Sequence, residues 1–211
     1  MESVFLKVIK KAVMKSLTQD NLLPVAEFLT IRDQKRKDLL EIKKNRRVMV
    51  GPDITFYFEN YDTLWWQIQE MLRIEGGGEE QMREELAAYA PLVPQVYEDG
   101  RCELVATMMI EIDDLIRRKV MLQQWSGIER YVYLDLGDGQ VQAIADDDID
   151  RTAEDGKTSS VHFLRFTLSK AQSQRFCAYD HEIFLGIHHP YYSHQIGLSL
   201  PVRKSLALDW I

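Results

Sequence analysis

The sequence predicts an α+β fold in two layers, a largely antiparallel sheet with helices packed on one face, preceded by an N-terminal helical segment. Three observations carry this expectation. The β-rich runs Val48–Val50 and Ile54–Phe58 are joined by Gly51-Pro52-Asp53, and the runs Arg130–Leu136 and Val141–Ala145 flank Gly137-Asp138-Gly139, so turn residues specify two hairpins. From Leu104 to Ile112 a more apolar set of positions alternates with a mixed set, the period of one long strand. From residue 100 onward the elements run β-α-β-β-β-α-β, an order that suits antiparallel strands covered by helices on one side.

Composition bounds the class. A chain of 211 residues with 45% hydrophobic and 28% charged residues has enough apolar material for a substantial core without disulfides or structural metals. Its only cysteines, Cys102 and Cys177, form no CxxC pair, which disfavours a zinc ribbon and suits a reducing compartment. No apolar run reaches the roughly 18–20 residues that span a bilayer, and no secretory leader is legible, so the expected location is cytoplasmic. The net charge of −7 disfavours a surface devoted to nucleic acid.

Taken in order, residues 2–17 place Phe5, Val8, Ile9, Ala12 and Val13 on one helical face and Lys7, Lys10, Lys11 and Lys15 on another. Such a cationic amphipathic helix packs on its own domain, docks on a partner through Phe5 and Ile9, or lies on an anionic membrane surface. After the polar break Thr18–Asn21, a second helix runs from Pro24 to about Asn45. Its cations Arg32, Lys35, Arg36, Lys37, Lys43 and Lys44, with Arg46 and Arg47 just beyond, are interleaved with Asp33, Asp38 and Glu41, which reads as a solvated, self-paired face. The first hairpin then presents Tyr61–Glu75, a helix capped by Asn60 or Asp62 and stopped at Gly76-Gly77-Gly78. A short polar helix covers Glu79–Tyr89, and Pro91 and Pro94 interrupt the chain before Gly100.

The second half reads as the strand ending near Ile112, a helix from Asp113 to about Trp125, the hairpin at Gly137, a strand at Val161–Thr167, a helix after Ser169, a strand at Ile183–Ile187 and a closing helix over Ser199–Trp210. Three segments result: the amphipathic helix 1–17, a helix–hairpin–helix unit 18–95 and an α+β sheet unit 96–211. The last two also read as one continuous domain, 18–211.

Candidate site residues concentrate on the 61–75 helix and the 161–167 strand. Tyr61, Leu64, Trp65, Ile68, Met71 and Leu72 form a core stripe; Trp66, Glu70 and Arg73 lie opposite, an apolar and charged face that a second layer of the chain or a docking partner would cover. His162 and Arg165 sit on a strand apolar on both faces and require buried partners, for which Glu59, Gln67 and Glu70 are available. Those partners either close a structural network or line a pocket in which Glu70, His162 and Arg165 perform acid–base or metal chemistry. His188, His189 and His194 are the only histidine cluster, but strand alternation and Pro190 do not bring them to one point, so they and His162 are weak metal candidates. The acidic run from Asp146 lacks the glycine and glutamate of an EF-hand, Ser159 and Ser160 have no nucleophile elbow, and the glycines at 76–78 lack the lysine of a phosphate loop.

Phe58-Glu59-Asn60 with Thr63, Gln67–Arg73 (QIQEMLR), Thr158–Phe166 (TSSVHFLRF) and His189–Tyr192 (HPYY) together resemble an uncharacterised bacterial family, the domain of unknown function numbered 3501. The resemblance runs from Leu17 to the end in the same order and implies no activity. It implies a soluble cytoplasmic protein encoded near rubrerythrin-like and iron–sulfur oxidoreductase proteins, hence a redox or oxidative-stress setting. The lysine-rich helix before Leu17 extends past the usual start, and Gly76–Gly78 interrupts a stretch that is usually apolar. The expected function is therefore a non-catalytic accessory protein that binds a redox partner; the alternatives are a metal- or small-molecule-dependent enzyme and nucleic-acid binding through the basic helix.

Overall fold

A computed structural model describes residues 16–76, 78–145 and 157–210. Residues 2–15 of the expected N-terminal helix, with Phe5 and Ile9, lie outside this range, as does the acidic run from Asp146. The described residues form strands β1 (Arg47–Val50), β2 (Ile54–Glu59), β3 (Cys102–Ile110), β4 (Val132–Asp135), β5 (Gln140–Gln142), β6 (Ile144–Ala145), β7 (Val161–Leu168), β8 (Phe184–His189) and β9 (Tyr192–Gly197). The helices are α1 (Val25–Lys43), α2 (Tyr61–Glu75), α3 (Glu79–Tyr89), α4 (Leu115–Gln124), α5 (Lys170–Ala178) and α6 (Leu200–Ala207). None is long and apolar enough to cross a membrane.

All strand pairs are antiparallel, as the hairpins predict, but they divide into two sheets. One has the order β1-β2-β3-β7-β6 and the other β5-β4-β8-β9. β2 pairs along its length with β3, from Ile54↔Ile110 to Glu59↔Val105, so the segments 18–95 and 96–211 contribute strands to one sheet. Ile54, Phe56, Phe58, Leu104, Ala106, Met108, Leu164 and Phe166 project from one face of the large sheet and share a core with Val132, Leu134, Leu185 and Ile187 of the small one. The opposite face carries Val105 and Phe163, which pack with Leu64, Ile68 and Leu72 of α2 and with Leu17, Leu92 and Val93. Helices thus cover one face of the large sheet, and a second sheet covers the other.

Local chemistry fixes the joints. Asn60 caps α2 by accepting from the Thr63 backbone N–H at 3.0 Å, while the Thr63 hydroxyl accepts from the Asn60 N–H at 2.9 Å, closing a reciprocal cap. The same hydroxyl donates to Glu59 Oε2 at 2.5 Å, and Thr107 donates to Glu59 Oε1 at 2.7 Å, so one carboxylate ties the helix start to β2 and β3. Gly76 ends α2 at φ 85°, a left-handed conformation that a side chain would strain. Arg46 is 3% exposed and donates to the Phe58 and Glu59 carbonyls while pairing with Asp209, which fastens the C-terminal segment to the first hairpin.

Candidate functional site

The face of α2 bearing Trp66, Glu70 and Arg73 is occupied by α1. Phe28 is fully buried there and meets the Trp65 and Trp66 rings edge-on at centroid distances of 5.8 and 5.5 Å. The Arg32 guanidinium stands 5.8 Å from the Trp66 ring centroid and donates twice to Glu70, at 2.7 and 3.0 Å, while Arg73 donates to Glu70 Oε2 at 3.0 Å. The Arg32 hydrogen bond, reinforced by Arg73 against the opposing effect of burial, holds the Glu70 carboxyl below its ordinary range. Gln69, 1% exposed, adds a clamp: its amide accepts from the Leu23 N–H at 3.1 Å and donates to the Leu23 carbonyl at 3.2 Å. Of the two covers expected for Trp66, Glu70 and Arg73, a second layer of the chain or a docking partner, the chain's own α1 lies over this face, with Arg73 still 30% exposed.

Glu70, His162 and Arg165 do not converge. Residues three apart on a strand point to opposite faces, so His162 of β7 looks into the core between the sheets while Arg165 looks toward the helices. Arg165 forms an ion pair with Glu103, which is 2% exposed, and donates to the Pro91 carbonyl at 2.7 Å; Tyr97 donates to the same carboxylate at 2.5 Å. Glu59, the other carboxylate expected near this strand, is taken by Thr63 and Thr107.

His162 instead meets a partner absent from the sequence reading. Its Nδ1 lies 3.9 Å from Glu129 Oε2, and its Nε2 lies 2.9 Å from the Ser159 carbonyl and 3.1 Å from the Thr158 hydroxyl. A carbonyl only accepts, so Nε2 carries the hydrogen and Nδ1 faces the carboxylate. This places a carboxylate and an imidazole side by side, at sites 8% and 1% exposed. Glu129 Oε2 makes no hydrogen bond with the described residues. Glu129, in the turn at Ile128–Tyr131, lies 33 residues before His162, a juxtaposition that no local pattern encodes.

The remaining histidines are separated as alternation predicts. His188 is exposed and bonds Ser193 at 3.1 Å; His189 is 5% exposed and edge-on to Tyr131 at 4.9 Å; His194 packs on Tyr192 at 4.6 Å. Burial pushes His189 below its ordinary pKa, against the raising effects of a Ser126 backbone hydrogen bond and of Glu129, so it is neutral at pH 7. Among the described residues, no three His, Cys, Asp or Glu side chains are grouped so as to hold a metal ion. The basic run from Arg32 to Arg47 is also partly consumed by its own chain: Arg32, Lys44, Arg46 and Arg47 pair with Glu70, Glu41, Asp209 and Glu111.

Among the described residues, α4 is one of the elements that carry strongly exposed apolar side chains. Asp114 caps it by accepting from the Arg117 N–H at 2.6 Å, and the Arg117 guanidinium bonds Asp53 with both terminal nitrogens at 2.7 and 2.6 Å. Leu122 and Trp125 anchor its far end in the core, and Thr158 donates from its backbone to the Leu122 carbonyl at 3.0 Å. Held at both ends, α4 presents Leu115, Ile116 and Val120 to solvent at 69, 80 and 51% exposure. Ile116 and Val120, one turn apart, share the outward face; Arg117 and Lys119 flank it. Apolar residues on both sides of one helix were the available signal, the same signal that drew attention to Trp66.

Fold and site together define a class: an antiparallel α+β protein with two packed sheets and helices over the outer face of the larger one. The family model described as "Protein of unknown function (DUF3501)" matches residues 16–210, so the chain belongs to this family. It is similar to a crystal structure titled as a novel protein of unknown function from Burkholderia pseudomallei, with 36% sequence identity and a TM-score of 0.81, over 92% of this chain and 99% of that one. No curated protein matches.

Proposed function

We propose that this protein is a non-catalytic accessory module that docks another protein on α4. The observation that carries the reading is the exposure of Leu115, Ile116 and Val120 on a helix pinned in place by Asp53, Leu122 and Trp125. Burying an aliphatic side chain of this size gains roughly 1.5–3 kcal/mol, so three on one rigid element form an anchor for an interface. Rigidity adds to the gain, since little side-chain or backbone freedom is lost when a pinned helix is covered.

The redox setting implied by the family resemblance makes rubrerythrin-like and iron–sulfur oxidoreductase proteins the first partners to titrate. Burial raises the Cys102 thiol and pushes Cys177 up to about 11, which disfavours thiolate chemistry on this chain at neutral pH. In this reading any electron transfer belongs to the partner.

The test is site-specific photocrosslinking from position 123, on the exposed end of α4, in cells of the native source. A defined protein, recovered repeatedly and displaced by unlabelled wild-type protein, is expected. The double variant Ile116→Glu/Val120→Glu is expected to compete at least about tenfold less well while keeping the wild-type circular dichroism spectrum. Equal competition by the variant removes α4 as the docking surface.

A further inference from the structure

We infer that a second copy of this chain pairs with the free edge of β9, joining two small sheets into one across a two-fold axis. The inference is independent of the docking reading on α4. Four strands end the two sheets: β1 and β6 in the large one, β5 and β9 in the small one. β6 has two residues and β5 three, while β1 has four, begins on Arg47 and runs into Gly51-Pro52. β9 has six, in unbroken register with β8 from Phe184↔Gly197 to His189↔Tyr192.

An edge strand offers a row of unpaired N–H and C=O groups, and proteins protect such a row with charged side chains, proline, a bulge, a very short strand or a covering segment. β9 uses none of these devices. Tyr192–Gly197 contains no lysine, arginine, aspartate, glutamate or proline, its register has no bulge, and five of its six residues are exposed. Among the described residues, no hydrogen bond outside the β8 ladder reaches a β9 backbone group.

The faces of β9 select a second copy. Residues opposite one another in an antiparallel pair share a face, so His194 and Ile196, opposite the buried Ile187 and Leu185, lie on the core side, and Ser193, Gln195 and Gly197 on the outer side. A two-fold axis normal to the sheet keeps the core sides together and returns β9 antiparallel to itself. Centred on Gln195, it opposes Ser193 to the partner's Gly197 and His194 to the partner's Ile196, so the five exposed residues pair among themselves with none left over. Ile196, 43% exposed although on the core side, thereby gains cover. The row carries no charge that would select a charged peptide, and no like charges meet when it pairs with itself. The contact is narrow, so the dimer is a weak one, in the micromolar range.

The experiment is sedimentation equilibrium on the full chain over a concentration series, at low and at high salt. The wild type is expected to dimerise reversibly, and more tightly at high salt because each copy carries −7. Gln195→Lys and Gln195→Glu each bring like charges face to face across the axis and are each expected to raise the dissociation constant about fivefold. Gln195 is exposed, so both variants are expected to keep the wild-type circular dichroism spectrum, and Gln195→Glu keeps an acceptor for the Tyr133 hydroxyl. Mixing the two variants sets lysine opposite glutamate and is expected to restore association at least to the wild-type level, a rescue that damage to the fold would not give.

A wild type that stays monomeric throughout the series overturns the inference. So does a dimer indifferent to both variants, or one that weakens in both but is not restored by mixing them. A dimer that Ile116→Glu dissolves while Gln195→Lys leaves it intact places the two-fold on α4 and also overturns pairing through β9.

Discussion

Replacing Phe28 tests the closure of the α2 face most directly. Its ring is 0% exposed and meets both Trp65 and Trp66, whereas the only other buried residue of α1 is Leu39, 11 residues on. Phe28→Ala removes a complete buried ring and leaves a cavity between α1 and α2, a change that costs about 3–5 kcal/mol in well-packed cores. A domain of this kind has about 5–15 kcal/mol in total, so the variant is expected to fold with a clearly lowered urea midpoint. Phe28→Leu keeps most of the volume and is expected to lose less than about 1.5 kcal/mol, which guards against a variant too unstable to measure. The same samples report location, because Trp125 and Trp210 are each 2% exposed in the core between the sheets, away from α1. A red-shifted native emission in Phe28→Ala therefore reports water reaching Trp65 and Trp66. A loss below about 1 kcal/mol with unshifted emission would refute the covering of this face by α1.

Two further perturbations probe the other layers. A Cβ at Gly186 would stand 2.4 Å from Cζ of Tyr133, whose hydroxyl reaches across β8 to Gln195 at 3.1 Å; Gly186→Ala is expected to cost about 1–3 kcal/mol by denaturant titration, and in Gly186→Ala/Tyr133→Ala the loss is expected to fall short of the sum of the two single losses. Additive losses would mean that the ring does not lie over the glycine. For Glu70, Arg32 and Arg73 lower the folded pKa below 4.5, so its contribution to stability is present above the unfolded value and is lost as pH falls through the lowered folded one. Stability measured from pH 6 downward is expected to fall less steeply below 4.5 in Glu70→Gln than in the wild type, and parallel profiles would contradict the pairing.

Residue patterns over short windows accounted for most local elements. Glu79–Tyr89 reads as a helix and is one; the turn at Gly51-Pro52-Asp53 joins β1 and β2; Asn60 and Gly76 bound α2. These features depend on neighbours within one turn or one hairpin, and the residues that create them are adjacent in sequence. β9 escaped because five of its six residues are exposed, so Tyr192–Gly197 has no alternation to read. Its strand character comes from pairing with β8 over Phe184↔Gly197 to His189↔Tyr192.

The site divides in the same way. Sequence by itself determined that Trp66 and Glu70 share a face needing cover, that His162 is buried, and that the three late histidines diverge, since each follows from helical or strand period alone. The expected pocket of Glu70, His162 and Arg165 set this period aside, for it puts His162 and Arg165 on opposite faces of β7. Only the tertiary structure decided what meets those faces: Phe28 and Arg32 over Trp66 and Glu70, Glu129 beside His162, Glu103 beside Arg165. It also decided that α4 keeps Ile116 and Val120 in solvent. Periodicity marks a surface that must be buried or used, but the choice between those fates belongs to segments tens of residues away, whose arrival is set by the packing of the whole chain.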